Sequence, residues 1–328
     1  MKLLITGGLG FIGSNFILHT LQKYPDYKIT NIDAEFFGSN QKNVESVRNN
    51  SNYTFVKGNI TNKKLMEKLI TDSDIIVNFA AESFVDRSIV DANPFLVSNI
   101  RGTYTILDII KDQKKKLIHI STDEVFGSLE ETEADEDFKL NPSNPYAATK
   151  ASAELLVRSY NQTFGTDCII TRCTNNYGPR QFPEKFIPKV ILLASQKKEI
   201  PIYGSGNNIR DWLYVTDHCD AILKIMNQGN SNESYNISSQ NYSDNTSLVK
   251  KILSMMNCSH DLIKYVEDRP GHDKRYGMNS SKIKNELKWN PCVDLENGLS
   301  QTIDWYLNNS EWWKDISSNL LSSTPWKN

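Results

Sequence analysis

The chain has 328 residues, a length that fits one large domain or two unequal ones. Its 39 acidic and 37 basic side chains leave a net charge of −2, and the one run of like charge that stands out, Lys114, Lys115 and Lys116, closes a helical pattern where cations suit a helix C-terminus; nucleic acid and anionic membrane are therefore poor partners. Five cysteines without C-x-x-C spacing, an apolar N-terminus too short for a signal-peptide core and no run near ~18 apolar residues lead us to expect a reduced, cytoplasmic protein with no disulfide framework, metal site or membrane span.

Short β-branched runs at 3–6, 28–32, 53–56, 75–79, 117–121 and 168–172 alternate with amphipathic stretches, the rhythm of an α/β fold built on a doubly wound parallel sheet. Between the first strand and the first helix, Gly7, Gly10 and Gly13 are spaced G-x-x-G-x-x-G. Glycine permits a tight turn and close backbone approach to a pyrophosphate, and a helix N-terminus offers that anion free N–H groups. The motif alone is weak, but Asp33 follows 20 residues beyond Gly13 at the end of the second strand. An acid there accepts ribose hydroxyls and repels a 2′-phosphate, and no Arg lies between Asp33 and Ser39, so the expected cofactor is NAD.

After the run at 117–121 come Thr122, Asp123 and Glu124, placed at the carboxyl end of a buried strand, where doubly wound sheets bind ligands. Two adjacent acids are ordinarily a solvated turn. In a confined site they push each other's proton affinities apart, so that one serves as acid and the other as base. Asn144 caps a helix that opens on Pro145 and runs to about Phe164, and it carries Tyr146 and Lys150 on one face. Y-x-x-x-K by itself is more often an exposed helix pair. Downstream of this glycine loop, a cation beside the phenol is expected to favour the phenolate.

Past residue 175 the rhythm breaks into shorter elements separated by Gly/Pro turns. We expect a cofactor domain over 1–175, to which 212–238 returns, and a substrate domain over 176–328.

The spacing of the glycine loop, the 121–124 segment and Tyr146/Lys150 resembles the extended short-chain dehydrogenase/reductases, which have a Rossmann domain. Thr122-Asp123-Glu124-Val125 narrows the resemblance to the nucleoside-diphospho-glucose 4,6-dehydratases. Further matches cover nearly the whole chain: Ala80-Ala81-Glu82-Ser83, Val85-Asp86-Arg87-Ser88, Asn175-Asn176-Tyr177-Gly178-Pro179, Phe182-Pro183-Glu184-Lys185, Pro201-Ile202-Tyr203-Gly204, Ile209-Arg210-Asp211-Trp212 and Asp268-Arg269-Pro270-Gly271-His272-Asp273.

The resemblance implies a role for each matched position. Tyr146 deprotonates the sugar 4-hydroxyl, Lys150 holds the nicotinamide ribose and Thr122 bonds the 4-oxygen. Glu124 takes the C5 proton while Asp123 protonates the departing 6-hydroxyl. Gly7, Gly10, Phe11, Ile12, Gly13 and Asp33 hold NAD, together with Asn59, Ile60, Ala80, Ala81, Ser83, Asn99 and Asn176. Asn175, Lys185, Arg210, Asn245 and Arg269 bind the diphosphate or sugar, and Pro201, Tyr203 and His272 lie near the nucleoside. The substrate is expected to be dTDP-glucose, with UDP-glucose next. Helices near 94–112 and 145–164 are expected to pair with a second copy as a homodimer.

Departures from the family pattern are Asn59 for a frequent Asp, Phe84 for a frequent His, and Arg180-Gln181 where an aromatic and a His are common. A 4-epimerase is the nearest rival, but such enzymes normally lack the acid pair at 123 and 124. A non-catalytic NAD-binding protein on this fold usually loses the Tyr or the Lys, and both are present.

Overall fold

Each short β-branched run becomes a strand, and the period-two alternation of its side chains sets the layers. In a computed structural model, which describes residues 1–315, Leu321 and Trp326, the strands are β1 (Lys2–Thr6), β2 (Lys28–Asp33), β3 (Tyr53–Lys57), β4 (Ile75–Asn78), β5 (Lys116–Thr122), β6 (Cys168–Cys173), β7 (Asn175–Tyr177), β8 (Ile200–Tyr203), β9 (Ile209–Tyr214), β10 (Ser234–Ile237), β11 (Tyr242–Asp244) and β12 (Ile263–Val266). Seven of them form a parallel sheet in the order β10-β6-β5-β4-β1-β2-β3. Smaller sheets, β11-β9-β7 and β12-β8, complete the set.

Leu3, Ile5, Ile118 and Ile120 point to one face of the large sheet, where Phe16 and Ile17 of the helix Phe11–Lys23 and Ile222 and Ile225 of the helix Val215–Gln228 cover them. Leu4, Ile76 and Leu117 point to the other face, against Met66 of Lys63–Thr71, Leu107 of Gly102–Ile110 and Val157 of Pro145–Phe164. All of these side chains are buried, each contributing roughly 1.5–3 kcal/mol. A second core gathers Ile187, Val190, Trp212, Leu248, Ile252, Leu299 and Tyr306 from beyond residue 175. Beyond Trp212, the helix Val215–Gln228 packs on Phe11–Lys23, and β10 pairs with β6. Residues 316–320, 322–325, 327 and 328, the end of the second expected unit, lie outside the described residues.

The helix Pro145–Phe164 starts and stops on local chemistry: Asn144 Oδ1 accepts from the Ala147 amide at 2.9 Å, and Gly165 closes it at φ 66°. Two expectations are corrected. The three lysines lie beyond the end of their own helix at Ile110; Lys115 Nζ instead donates to Thr71 O and Ser73 O, where the neighbouring helix Lys63–Thr71 ends. The stretch expected to be helical over 94–112 divides into Asn93–Phe95, a π-helical turn at Leu96–Arg101 and Gly102–Ile110.

Candidate active site

The carboxyl ends of β1, β2, β4 and β5 open on one cavity, the place where a doubly wound sheet diverges to admit a ligand. Gly7 turns β1 toward the first helix at φ +70°, and a β-carbon there would stand 2.7 Å from the Ala80 backbone, so only glycine lets the β1 and β4 loops touch. At Gly13 a β-carbon would meet Gly7 O at 2.5 Å. The helix Phe11–Lys23 begins at Gly10 with no side-chain cap, leaving first-turn N–H groups for an anion. Asp33 is buried; its Oδ2 accepts from the Leu9 amide at 2.9 Å and its Oδ1 from the Glu35 amide at 2.8 Å. Burial pushes its carboxyl above the usual range. Phe11, Ile12, Asn59, Ile60, Ala80, Ala81 and Ser83 also line the cavity. This glycine cradle, uncapped helix start and ribose-facing acid fit a dinucleotide.

Asn99 does not line the cavity but braces its wall from behind. Its amide bonds both backbone groups of Glu82, at 2.9 and 3.1 Å, and donates to Thr149 Oγ1 at 2.9 Å, tying the β4 loop to the helix Pro145–Phe164. It sits on the π-helical turn, whose extra residue re-aims the side chain. Asn176 reaches the cavity edge, while its Oδ1 accepts from His218 Nδ1 at 2.9 Å.

Thr122, Asp123, Glu124, Tyr146 and Lys150 meet at the other end of the same cavity. Thr122 Oγ1 accepts from the Glu124 amide at 3.3 Å and donates to Asp123 Oδ1 at 3.2 Å. Asp123 is buried and its Oδ2 has no hydrogen-bond partner among the described residues; burial, then the Glu124 carboxylate, hold its carboxyl well above the usual range, with Arg210 opposing. Glu124 is half-buried, and its Oε2 faces two donors at 3.3 Å, Asn144 Nδ2 and the Tyr276 hydroxyl.

The expected phenol–ammonium partnership is absent. Lys150 Nζ donates to the Ile120 carbonyl at 2.6 Å, and burial lowers its pKa to about 8. Burial, then Glu124, raise the Tyr146 phenol well above its ordinary value. In the buried site, desolvation works against the charged form of each group.

The residues expected for the nucleotide sugar divide into two groups. Asn175 and Lys185 line the cavity: Asn175 Oδ1 is buried without a partner, and Lys185 Nζ donates to Ser83 O at 2.7 Å. Pro201, Tyr203, Arg210, Asn245, Arg269 and His272 lie outside that lining. Arg269 Nη1 pairs with Asp86 Oδ1 at 2.7 Å, and the Tyr203 hydroxyl donates to Asp86 Oδ2 at 3.4 Å. His272 bonds Asp268 at 2.6 Å, and burial, then Arg269, lower its pKa to about 4. Arg210 is buried, donating to the carbonyls of Ile209, Asp273 and Lys274 with its guanidinium 4.2 Å from the Tyr276 ring centroid. Pro201 pairs with Lys264 across β8 and β12, and buried Asn245 opens the helix Asn245–Met255.

Tyr276 joins the two groups and escaped the sequence analysis. Its hydroxyl lies 2.8 Å from Asp273 Oδ2 and 3.3 Å from Glu124, which is 152 positions away. The one signal was its place three residues beyond a family-like motif. Asp86 was quoted within a motif but given no role, although it anchors Arg269 and Tyr203.

The comparisons agree with this geometry. A family model described as GDP-mannose 4,6 dehydratase matches residues 4–302. The low-salt glycan biosynthesis protein Agl12 of Haloferax volcanii is 45% identical over 312 residues, covering 95% of this chain and 100% of that protein. The dTDP-glucose 4,6-dehydratase of Mycobacterium tuberculosis is 41% identical, covering 96% of each chain. The crystal structure of the dTDP-glucose 4,6-dehydratase of Bacillus anthracis in complex with NAD superposes with a TM-score of 0.92 at 44% identity, over 97% of this chain and 100% of that one. With the paired acids at the end of β5, the tyrosine helix and the glycine cradle in one cavity, the chain belongs to the nucleotide-sugar 4,6-dehydratases, the family that the GDP-mannose 4,6 dehydratase model describes.

Proposed function

We propose that this NAD-dependent dehydratase converts dTDP-glucose, and UDP-glucose less well, to the 4-keto-6-deoxy sugar. The observation that carries the reading is the placement of Asp123, Glu124 and Tyr146 in one cavity, with the Asp123 carboxyl pushed well above the usual range by burial and by its neighbour. NAD, when bound, borrows the hydrogen of C4 with its electron pair and returns it at C6, so net redox is zero. Bound NAD would place a positive charge beside Tyr146 that favours its phenolate, which accepts the 4-hydroxyl proton, and Thr122 bonds the 4-oxygen. The resulting 4-ketone acidifies C5–H. Glu124 removes that proton while Asp123 delivers its own to the 6-hydroxyl, which departs as water; Glu124 then returns its proton to C5 as C6 takes the hydride, and the proton left on Tyr146 is exchanged through solvent to restore Asp123. The two acids differ in burial, and that difference divides the roles.

In this reading the large sheet with its returning segment 215–238 holds the cofactor, and the remainder beyond 175 holds the nucleotide sugar. Lys185 and Asn175 face the sugar, and Arg210 and Arg269 serve the diphosphate, Arg269 leaving Asp86 to do so. The enzyme works in the cytoplasm, where reducing conditions keep its five free cysteines as thiols. Tyr104, Leu155 and Phe164 stand 45%, 58% and 51% exposed on the helices Gly102–Ile110 and Pro145–Phe164, which supports a homodimer through that face. Incubation with dTDP-glucose and with UDP-glucose, separately, tests the proposal by the appearance of the 4-keto-6-deoxy product. An inverted C4 hydroxyl with C6 intact would sink it in favour of epimerisation.

A further inference from the structure

Three aromatic rings from separate parts of the chain meet at the mouth of the cavity. Phe37 comes from the loop after β2, Phe84 precedes the helix Val85–Val90 and Phe182 follows β7. Phe37 lies 5.0 Å from Phe84 and 4.8 Å from Phe182, and those two are 5.7 Å apart; the interplanar angles of 69°, 64° and 84° are the edge-to-face geometry that ring quadrupoles favour. All three line the cavity, yet Phe37 is also 39% exposed, so the wall here is one ring thick.

Arg87 locks the layer. Its guanidinium carbon is 3.5 Å from the Phe37 centroid, and its Nη2 donates to Glu184 Oε2 at 2.8 Å, which fastens the β2 loop to the segment carrying Phe182. Gly38 allows the approach, with φ +89° and space such that a β-carbon would come within 2.9 Å of the Phe84 ring. The loop is anchored at both ends, by the Leu9 and Glu35 amides on Asp33 and by the Asn40 amide on Leu9 O at 3.0 Å. Between these anchors Phe37 meets the body of the protein through the two rings and Arg87.

We infer that Phe37, closed on Phe84 and Phe182 under Arg87, is a gate that retains NAD in the cavity between turnovers. The inference rests on the assignment of NAD to this cavity. Because the cycle regenerates the cofactor where it sits, a wall that slows its escape takes nothing from turnover. Escape past this wall parts Phe37 from two rings and a cation. Deleting the ring is expected to speed release at least tenfold, about 1.4 kcal/mol at the barrier.

The test loads the whole enzyme with NAD labelled in its adenine, dilutes it into excess unlabelled NAD without sugar, and follows the retained label. Phe37→Ala is expected to exchange at least tenfold faster than the wild type, Arg87→Gln to fall between them, and Phe37→Tyr, which keeps the ring, to match the wild type. Thermal unfolding at saturating NAD separates gating from loss of fold. A wild-type exchange rate in Phe37→Ala overturns the gate, as does fast exchange in Phe37→Tyr. A wild-type protein that carries no NAD as purified and also takes up no label overturns both the assignment of NAD and the gate.

Discussion

Replacing Glu124 by Gln separates the dehydration step from the oxidation that precedes it. Gln keeps the length of the side chain and an oxygen to accept from Asn144 Nδ2 and the Tyr276 hydroxyl, both 3.3 Å from Glu124 Oε2, but its amide takes no proton. Burial is the larger cause of the raised Asp123 carboxyl and Glu124 the second, so in the variant the larger cause of that rise remains. Tyr146 loses one of the charges that resist its ionisation, so removal of the 4-hydroxyl proton is not impaired. Oxidation at C4 should therefore proceed and elimination stall. Loss of one general base costs about 10² to 10⁴ in rate, which is roughly 2.7–5.4 kcal/mol at about 1.36 kcal/mol per decade. Mixing the variant with dTDP-glucose and following the near-ultraviolet absorbance of reduced cofactor should show it accumulate to nearly one per site. Turnover within a factor of a few of the wild type, or a block before any reduced cofactor appears while substrate still binds, would refute the division of roles.

The remaining predictions use other groups. Tyr146→Phe removes the acceptor of the 4-hydroxyl proton, so no reduced cofactor should form on mixing with substrate; its appearance at the wild-type rate would place that acceptor elsewhere. His218 is buried with its pKa lowered to about 3 by burial, whereas the unfolded imidazole titrates near 6.5. The unfolded chain then binds a proton that the folded chain refuses, so this contribution to stability is complete above pH ~6.5 and falls by about 1.4 kcal/mol per unit toward pH ~3. Urea unfolding at pH 7, 5 and 4 measures that slope, which His218→Gln should flatten. Light scattering at working concentration should give twice the chain mass if Tyr104, Leu155 and Phe164 lie in a dimer face, and a monomer would remove that proposal.

The parts of the site that were legible in the sequence are those made by neighbours along the chain. The turn at Gly7, Gly10 and Gly13, the strand end carrying Thr122, Asp123 and Glu124, and the helix face with Tyr146 and Lys150 each need only a short segment with a known period, so spacing and residue type are enough. The capped helix start at Asn144 is local for the same reason. Arg210, Arg269 and His272 were named only because the family motifs carry them; in isolation each is an ordinary polar residue.

Tertiary structure decided which groups touch across long separations and how far water is excluded around them. Arg269 meets Asp86 across 183 positions, and Tyr276 reaches Glu124 across 152, distances over which no residue pattern specifies a partner. Lys115 ends a neighbouring helix rather than its own, and Asn99 braces the cavity wall from behind, because strand order and a π-helical turn set those neighbours. Four residues along a helix fix which face Tyr146 and Lys150 share, but the burial that raises the phenol and lowers the ammonium comes from the packed fold. The chain order of residues determines local geometry, whereas burial and dielectric are properties of the packed fold, and at this site they push the Asp123 carboxyl upward.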